Sequence, residues 1–527
     1  MTARLSQDER FIIIEQTTME ERRQLELSFT KKINDWWIIK KKNPSANVDE
    51  CFIMNQCIIP KGLYLELINV CNEFNYSLDF IDGFNCKIKN CGITYEGFKE
   101  YVDNLFRKNE TIHPTEYQIK AAYSILSYKN CNIEVATSGG KTIISYIVFR
   151  YMKDVLHISK FLFITPNTNL TTQTAEKYIK YDEGNQIESD WTYNMVHSKM
   201  KKKDQEDYSQ TIIFGNYQSL SRKHPEFFKD YKTVFIDEVQ HGSCRSIKTV
   251  IKKCYNSEYV VGMTGTFPEI GSYNSFVLQA FIGPIVYRLS SYELINVEKF
   301  ATPIKMVGMC LDYLSEDRKK ALYNARCTKD KNDPTAGGKL LVLEKDIARK
   351  SRSRFIYIVN TISKVTKNSL VVFSDIQNSY GEKIYRWLKE NTDKSLYYID
   401  GNVDPEYREY AKSQMENDNT GNSIIVASVG TFSEGIDISN ICNIFLVEST
   451  KSPIQISQLI GRGMRRSSQK TEVMFIDFGD DFRYGTGFQK NNYLFRHFEE
   501  RSKIYKNKGF PYQSFNIKLE EDPAGLW

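Results

Sequence analysis

The sequence predicts an α/β protein: two tandem parallel-sheet domains preceded by a small α+β domain. Three observations lead there. From about residue 130 to 480, short apolar β-branched runs alternate with longer amphipathic stretches. The runs are continuously apolar rather than alternating, so the strands are covered on both faces, as in parallel sheets flanked by helices. They also fall into two series separated by about 100 residues, which implies two such domains.

The first series is Ile133-Glu134-Val135-Ala136, Phe161–Ile164, Thr211–Phe214, Val234–Ile236 and Tyr259–Met263. The second is Ser369–Phe373, Leu396–Ile399, Ile424–Ala427, Ile444–Val447 and Val473–Ile476. Between them, residues 312–355 read as helical and charged, with a loop at Asp333-Pro334-Thr335-Ala336-Gly337-Gly338. Residues 1–110 break the rhythm. They hold Trp36-Trp37, the basic run Lys40–Lys42, and Ile59-Pro60-Lys61-Gly62 ahead of an amphipathic helix at about 63–75. Residues 489–507 read as a charged helix followed by a polar tail. The expected domains are therefore 1–110, 111–290, 291–488 and a C-terminal helix and tail over 489–527.

Composition narrows the class. At 527 residues the chain is too long for one core. Its 26% charged and 41% hydrophobic residues suit a soluble globular protein, and a net charge of +6 permits a nucleic-acid partner without requiring one. No apolar run approaches the about 18 residues of a membrane span, and the N-terminus is polar, so a cytoplasmic protein without a membrane partner is expected (host cytoplasm, if viral). The 11 cysteines include no C-x-x-C pair; Cys86 and Cys91 alone approach metal spacing, and buried thiols in a reducing compartment are the simpler reading.

The most informative segment is Ala136-Thr137-Ser138-Gly139-Gly140-Lys141-Thr142. A strand precedes it and a helix follows, with Lys-Thr in the helix's first turn. Backbone N–H groups and a helix N-terminus then face an anion, the lysine adds a point charge, and the Thr142 hydroxyl is placed for Mg²⁺. Val135 stands where the usual pattern has its first glycine. A second apolar strand ends in Asp237-Glu238, the acidic pair a Mg–nucleotide site needs. Asp237 would hold the metal, and Glu238 would orient and deprotonate the attacking water. Alone, that pair reads equally well as a helix N-cap; behind a phosphate loop the catalytic reading prevails. Near the end of the second series comes Gln458-Leu459-Ile460-Gly461-Arg462-Gly463-Met464-Arg465-Arg466. Arg462 and Arg465, three apart, are expected on one helix face, able to meet a triphosphate as arginine fingers.

With these residues placed, the motif order resembles helicase superfamily 2, whose core is a pair of RecA-like domains. Tyr117-Gln118 looks like its adenine-reading glutamine motif, Thr165-Pro166-Asn167 its motif Ia, and Thr264-Gly265-Thr266 its motif III. Val371–Ser374 looks like motif IV, Thr431–Asp437 motif V, and Gln458–Arg465 motif VI. The resemblance implies ATP and Mg²⁺ as cofactors. Thr137, Ser138, Gly139, Gly140, Lys141, Thr142, Tyr117, Gln118, Gly435 and Asp437 would hold the nucleotide, Thr142 and Asp237 the metal. Lys141, Asp237, Glu238, Gln458, Arg462 and Arg465 would act in catalysis. Pro60–Leu63, Cys71–Tyr76, Asn492–Leu494 and Tyr505 further resemble the phage UvsW helicases. That branch implies an ATP-dependent DNA helicase and translocase that regresses forks, migrates junctions and unwinds R-loops in recombination, repair and replication. Its partners would be branched or forked DNA, with RNA–DNA hybrids as a further substrate, and the chain is expected to be a monomer.

One departure stands out. Motif II usually has His or Asp in fourth place, where this chain has Gln240, with His241 next. In the family that side chain links the nucleotide to motif III, and Gln can still donate and accept. For the polymer, loops at strand ends are the candidates: Pro166-Asn167-Thr168, Gly215-Asn216-Tyr217-Gln218 and Ser428–Thr431. Trp36 and Trp37 beside Lys40–Lys42 could stack on a base; in a strand the two would face opposite ways, leaving one free at most. Lys199–Lys203 reads as a solvated loop. Competing functions are an RNA helicase on the same motor, a restriction-type translocase and a nucleotide-binding scaffold. Thr264-Gly265-Thr266 and the N-terminal domain speak against the first, the lack of a nuclease constellation against the second, and the intact motifs against the third.

Overall fold

The computed structural model describes residues 1–521 other than 35, 37–38, 41–42, 55–56, 85–91, 189–191, 198–209, 241–244, 330–335, 375–378, 434–437, 451 and 468. Trp37, Lys41, Lys42, Cys86, Cys91, Lys199–Lys203, His241, Gly435 and Asp437 therefore lie outside the described residues. The chain divides into two compact units, Met1–Leu289 and Ser290–Trp527.

The first unit begins with a four-stranded sheet of β1 (Thr2–Leu5), β2 (Phe11–Glu15), β5 (Ile58–Pro60) and β6 (Asp79–Phe80), in the order β5-β2-β1-β6. A hairpin of β3 (Thr30–Lys32) and β4 (Asp49–Cys51) is inserted between β2 and β5. The buried positions alternate along β1 and β2, so one face of this sheet is apolar. That face packs on the helix Tyr64–Glu73, and its core continues into Phe276 and Val277 of the helix Tyr273–Phe281, which belongs to the following α/β layer. Gly62 permits the approach: a Cβ there would stand 1.8 Å from the Gln279 carbonyl oxygen.

The α/β layer is a seven-stranded, wholly parallel sheet. Its strands are β7 (Asn130–Val135), β8 (Phe161–Thr165), β9 (Tyr193–Val196), β10 (Ile212–Asn216), β11 (Thr233–Asp237), β12 (Tyr259–Thr264) and β13 (Ile285–Leu289). The order is β13-β7-β12-β11-β8-β10-β9. Register brings the carboxyl ends together: Thr264 lies beside Glu134, Asp237 beside Met263, and Asn216 beside Thr165. Ligands of open parallel sheets bind at that edge.

The second unit repeats the architecture with β14 (Ile304–Asp312), β15 (Ser369–Phe373), β16 (Ser395–Ile399), β17 (Ser423–Ser428), β18 (Asn443–Leu446), β19 (Val473–Asp480) and β20 (Tyr512–Lys518). These form a second parallel sheet in the order β16-β17-β15-β18-β19-β14-β20. The region read as charged and helical holds helices Glu316–Cys327, Ala336–Lys350 and Arg352–Ser363. Ala336, Gly337 and Gly338, expected in a loop, open the second of these. The charged helix is Tyr493–Asn507, and the polar tail after it supplies the edge strand β20.

Polar chemistry binds that helix to the sheet. Arg501 reaches Asp477 of β19 with two hydrogen bonds of 2.8 Å, and the Tyr505 hydroxyl donates to the same carboxylate at 2.9 Å. Arg501 and Asp477 are both fully buried. Nearby, Arg354 donates from Nε to Asp480 at 2.6 Å, and the Tyr313 hydroxyl adds a bond of 2.9 Å. The neighbouring carboxylates hold the guanidinium groups of Arg354 and Arg501 charged against the cost of burial. Of the eight described cysteines, all free, six are buried: Cys57, Cys71, Cys131, Cys254, Cys310 and Cys442. Among the described residues no helix is long and apolar enough to cross a membrane, and no His/Cys/Asp/Glu group could hold a metal ion by itself.

Two consequences can be measured. Asp477→Ala strands the Arg501 cation and should cost the second unit about 3–5 kcal/mol, read as a lowered urea midpoint. Gly62→Ala forces the N-terminal sheet away from Gln279 and should cost about 1–3 kcal/mol, read as a lower unfolding midpoint with earlier proteolytic loss of the N-terminal strands.

Candidate nucleotide site

The phosphate loop is built by a left-handed turn between β7 and the helix Lys141–Asp154. Ser138 has φ +72° and Gly140 φ +83°, the latter as the helix N-cap. Gly140 needs its missing side chain twice over. The left-handed backbone favours glycine, and a Cβ would lie 2.3 Å from Gln118 Nε2. The 14-residue helix then starts at Lys141, with its first-turn N–H groups unpaired within the helix and open to an anion.

Tyr117 and Gln118 are brought to this loop. The Tyr117 hydroxyl donates to the Gly139 carbonyl at 3.1 Å, and Gln118 Nε2 donates to the same oxygen at 3.3 Å. Gln118 Oε1 meanwhile accepts the Thr115 N–H at 3.0 Å in a capping box that starts the helix Glu116–Ser127. One buried amide thus ties the start of that helix to the turn beneath the phosphates.

Asp237 closes β11, and Glu238 follows in a left-handed conformation with φ +49°, uncommon for a residue with a side chain. Its own N–H is held by Asp237 Oδ1 at 3.0 Å. Glu238 Oε1 lies 3.9 Å from Lys141 Nζ. Desolvation, reinforced by the negative charge of Glu238, pushes the Asp237 carboxyl up to about 6, while the Lys141 charge pulls the other way. Two carboxylates and one ammonium in a desolvated corner beside a phosphate loop leave an excess of negative charge that favours a further cation. The donor set fits a Mg–nucleotide: Asp237 and Thr142 to hold the metal, Lys141 and the loop to hold phosphates.

Gln240 has a definite place. Its Nε2 donates to Glu238 Oε2 at 2.6 Å, and its Oε1 accepts from the Thr264 hydroxyl at 2.5 Å. Thr264 Oγ1 also accepts the Thr266 N–H at 3.0 Å. The amide therefore links motif II to motif III in one step, the duty the sequence left open. Gly265 sits against the phosphate loop, where a Cβ would stand 2.8 Å from Thr137 Oγ1 and 3.5 Å from Lys141 Nζ. Glu134 was not singled out from the sequence, yet it accepts the Phe267 N–H at 3.0 Å and anchors the far side of the same turn. A charged residue inside the run Ile133-Glu134-Val135 was its signal.

The candidate polymer loops of this unit emerge side by side. Asn167 accepts from Leu170 N–H at 3.0 Å and caps the helix Thr168–Gly184. Asn216 caps the helix Tyr217–Leu220 and donates to Thr168 Oγ1 at 3.4 Å. Pro166, Asn167 and Thr168 are half-buried; Gly215 is buried and Gln218 exposed. Trp36 has helical rather than strand backbone, and Trp37 lies outside the described residues. It is 40% exposed, with the Lys32 ammonium 4.5 Å above its ring.

In the second unit, Gln458 and Arg462 lie on the helix Pro453–Gly463, Gln458 half-buried and Arg462 buried. Arg465 does not share that helix. The helix ends at Gly463, its last carbonyls taken by Lys470 Nζ at 2.9 Å and, for Met464, by the Thr302 N–H at 2.8 Å. Those outside donors stop the helix and turn the chain before Arg465, whose own carbonyl accepts from the Thr302 hydroxyl at 3.0 Å. Burial pushes the Arg465 guanidinium down to about 10, opposed by the charge of Glu416, so it remains a cation at neutral pH. Thr431 Oγ1 accepts from Ser428 Oγ at 2.8 Å.

Comparison with known proteins agrees with this construction. Residues 111–269 match the family described as type III restriction enzyme, res subunit, and residues 350–467 the helicase conserved C-terminal domain. The chain is 26% identical over 474 residues to the ATP-dependent DNA helicase uvsW of Enterobacteria phage T4, covering 88% of each protein. Among solved structures, S. cerevisiae Dbp5 bound to RNA and ADP BeF3 superposes with a TM-score of 0.52 at 13% identity, over 81% of this chain and 95% of that one. The ATP-dependent type ISP restriction-modification enzyme LlaBIII bound to DNA gives 0.55 at 15% identity, over 86% of this chain and 36% of that one. These two likenesses establish the tandem RecA-like fold. With both halves of the motor matched, the chain is an ATP-dependent helicase of superfamily 2 that resembles the phage UvsW helicases.

Proposed function

We propose that this helicase acts on branched DNA, regressing forks, migrating junctions and unwinding R-loops during recombination, repair and replication. The observation that carries the reading is the extent of the similarity to uvsW: 474 aligned residues exceed what the two motor domains can hold, so the likeness reaches the flanking segments as well. The shared apolar core of the N-terminal sheet and the helix Tyr273–Phe281 supports it, since a branch-reading element must move with the motor.

In this reading Lys141 neutralises phosphate oxygens and Asp237 and Thr142 hold Mg²⁺, which when bound would polarise the terminal phosphate. Glu238 takes the proton of the attacking water. Gln240 fixes the Glu238 carboxylate through Oε2, leaving Oε1 on the Lys141 side. Arg462 and Arg465, with Gln458, supply positive charge and hydrogen bonds to the transition state. Gly435 and Asp437 contribute from motif V. The loops at Pro166–Thr168, Gly215–Gln218 and Thr431 grip the sugar–phosphate backbone, and Trp36 and Trp37 meet bases at the branch. The protein works as a monomer in the cytoplasm, that of the host if the chain is viral.

ATPase stimulation and unwinding across single strands, forks, four-way junctions, RNA–DNA hybrids and structured RNA test the reading. Forks and junctions should stimulate most. Structured RNA doing as well as forked DNA would favour an RNA helicase instead. Lys141→Ala should abolish hydrolysis, by about 10³-fold or more, with DNA binding largely kept; robust turnover in the purified variant would remove Lys141 from the phosphates. Glu238→Gln should bind ATP normally and turn over at least about 10²-fold more slowly, and a wild-type kcat would mean that another group activates the water.

A further inference from the structure

Two helices of the first unit start at the two kinds of loop the motor needs. Lys141–Asp154 starts at the phosphate loop, and Thr168–Gly184 starts at the strand-end loop Pro166–Thr168. They are joined below those loops by buried polar groups that neither the nucleotide site nor the polymer loops use. The Tyr178 hydroxyl donates to Ser145 Oγ at 2.8 Å, and Ser145 Oγ donates to the carbonyl of Thr142 at 2.8 Å. Next to Ser145, the Tyr146 hydroxyl donates at 2.6 Å to Asp182 Oδ1, one turn beyond Tyr178, and accepts from Asn185 Nδ2 at 3.2 Å. Asn185 Oδ1 accepts from Asn109 Nδ2 at 2.7 Å, and Asn109 Oδ1 accepts the N–H of Ile112 at 2.9 Å. Arg150 Nη1 stands 3.8 Å from Asp182.

Every oxygen-bearing link in this chain is at most 3% exposed: Ser145, Tyr146, Tyr178, Asp182, Asn185 and Asn109. Phenylalanine, alanine and leucine would fill the same space without desolvating a carboxylate and three amide or hydroxyl pairs. What the polar groups add is direction. A buried hydrogen-bond network fixes the register of two helices in a way that apolar packing does not. The group held here is the Thr142 carbonyl in the first turn of the phosphate-loop helix: Ser145 of the same helix bonds it, and Tyr178, which bonds Ser145, rides on the helix capped by Asn167.

We propose that this buried latch couples nucleic-acid occupancy of the Pro166–Thr168 loop to the phosphate loop, with Tyr178 as the positioning residue that carries the coupling through Ser145 to Thr142. A shift of the capped helix on contact with a backbone phosphate is passed to the first turn of the phosphate helix, which presents Lys141 and Thr142. The inference rests on the reading that nucleic acid stimulates hydrolysis in this chain.

The test uses the full-length protein and separates coupling from mere support. Tyr178→Phe removes one oxygen and keeps the ring, which packs edge-on against Phe149, Phe163 and Phe214. Basal ATPase, KM for ATP and affinity for a DNA fork should stay within about twofold of wild type, while fork-stimulated kcat falls about fivefold, the worth of one neutral hydrogen bond. Ser145→Ala should give a similar loss, and the double variant no more than either single one, since both break the same link. Tyr146→Phe, in the second branch, provides an independent variant should Tyr178→Phe fold poorly, with the same expectation. Basal and stimulated rates falling in parallel, or an unchanged stimulation ratio, overturns the latch. A wild-type chain that ignores every nucleic acid overturns the helicase reading along with it; a stimulated wild type with indifferent variants overturns the latch alone.

Discussion

The structure of the first unit is organised around a problem of charge at the end of β11. Asp237 and Glu238 put two carboxylates side by side where solvent is largely excluded, and Lys141 offers one compensating ammonium. Neighbouring anions in a desolvated place are costly unless cations join them. The surrounding geometry maintains that imbalance rather than relieving it. Glu238 is held in a left-handed backbone, Gln240 occupies one of its oxygens, and Gly265 brings the motif III turn up to Thr137 and Lys141. A corner so arranged gains stability when further positive charge joins it.

The parallel sheet makes this possible. Its register delivers the ends of β7, β12, β11, β8 and β10 to one edge, so loops far apart in sequence become neighbours without long connections. The second unit uses the same architecture for a different end. Its buried pairs, Arg501–Asp477 and Arg354–Asp480, lock the helices Tyr493–Asn507 and Arg352–Ser363 onto the sheet, and Arg501 also donates to the Thr450 carbonyl at 3.0 Å, just ahead of the helix Pro453–Gly463. Polar locking appears in both units, as ion pairs in one and as hydroxyl and amide bonds in the other.

Much of this was legible in the sequence, and what was not has physical reasons. Continuous apolar runs marked the central strands of both sheets, because strands covered on both faces carry that pattern. In the two parallel sheets the strands that escaped notice were β9, β13, β14 and β20. β20 is an exposed edge strand without a continuous apolar run, whereas β14 carries one, Met306–Leu311, that was legible and passed over. The phosphate loop and the acidic pair were readable from residue type and spacing. Gln240 was readable as a departure but not as a bridge, since its second partner, Thr264, is 24 residues away and meets it only through the pairing of β11 with β12. Arg465 was misplaced onto the helix of Arg462. Periodicity favours one face, and the donors that end the helix, Thr302 and Lys470, come from outside it.

The central claim is that the corner at Asp237 is a metal–phosphate site whose affinity depends on the carboxylate. Titration calorimetry of ATP into the full-length chain, with and without Mg²⁺, tests it most directly when wild type and Asp237→Asn are compared. The account predicts that Mg²⁺ strengthens binding to wild type by at least about tenfold and that most of this gain disappears in the variant, whose amide is a poor ligand for a hard cation. An equal Mg²⁺ effect in both proteins would contradict it.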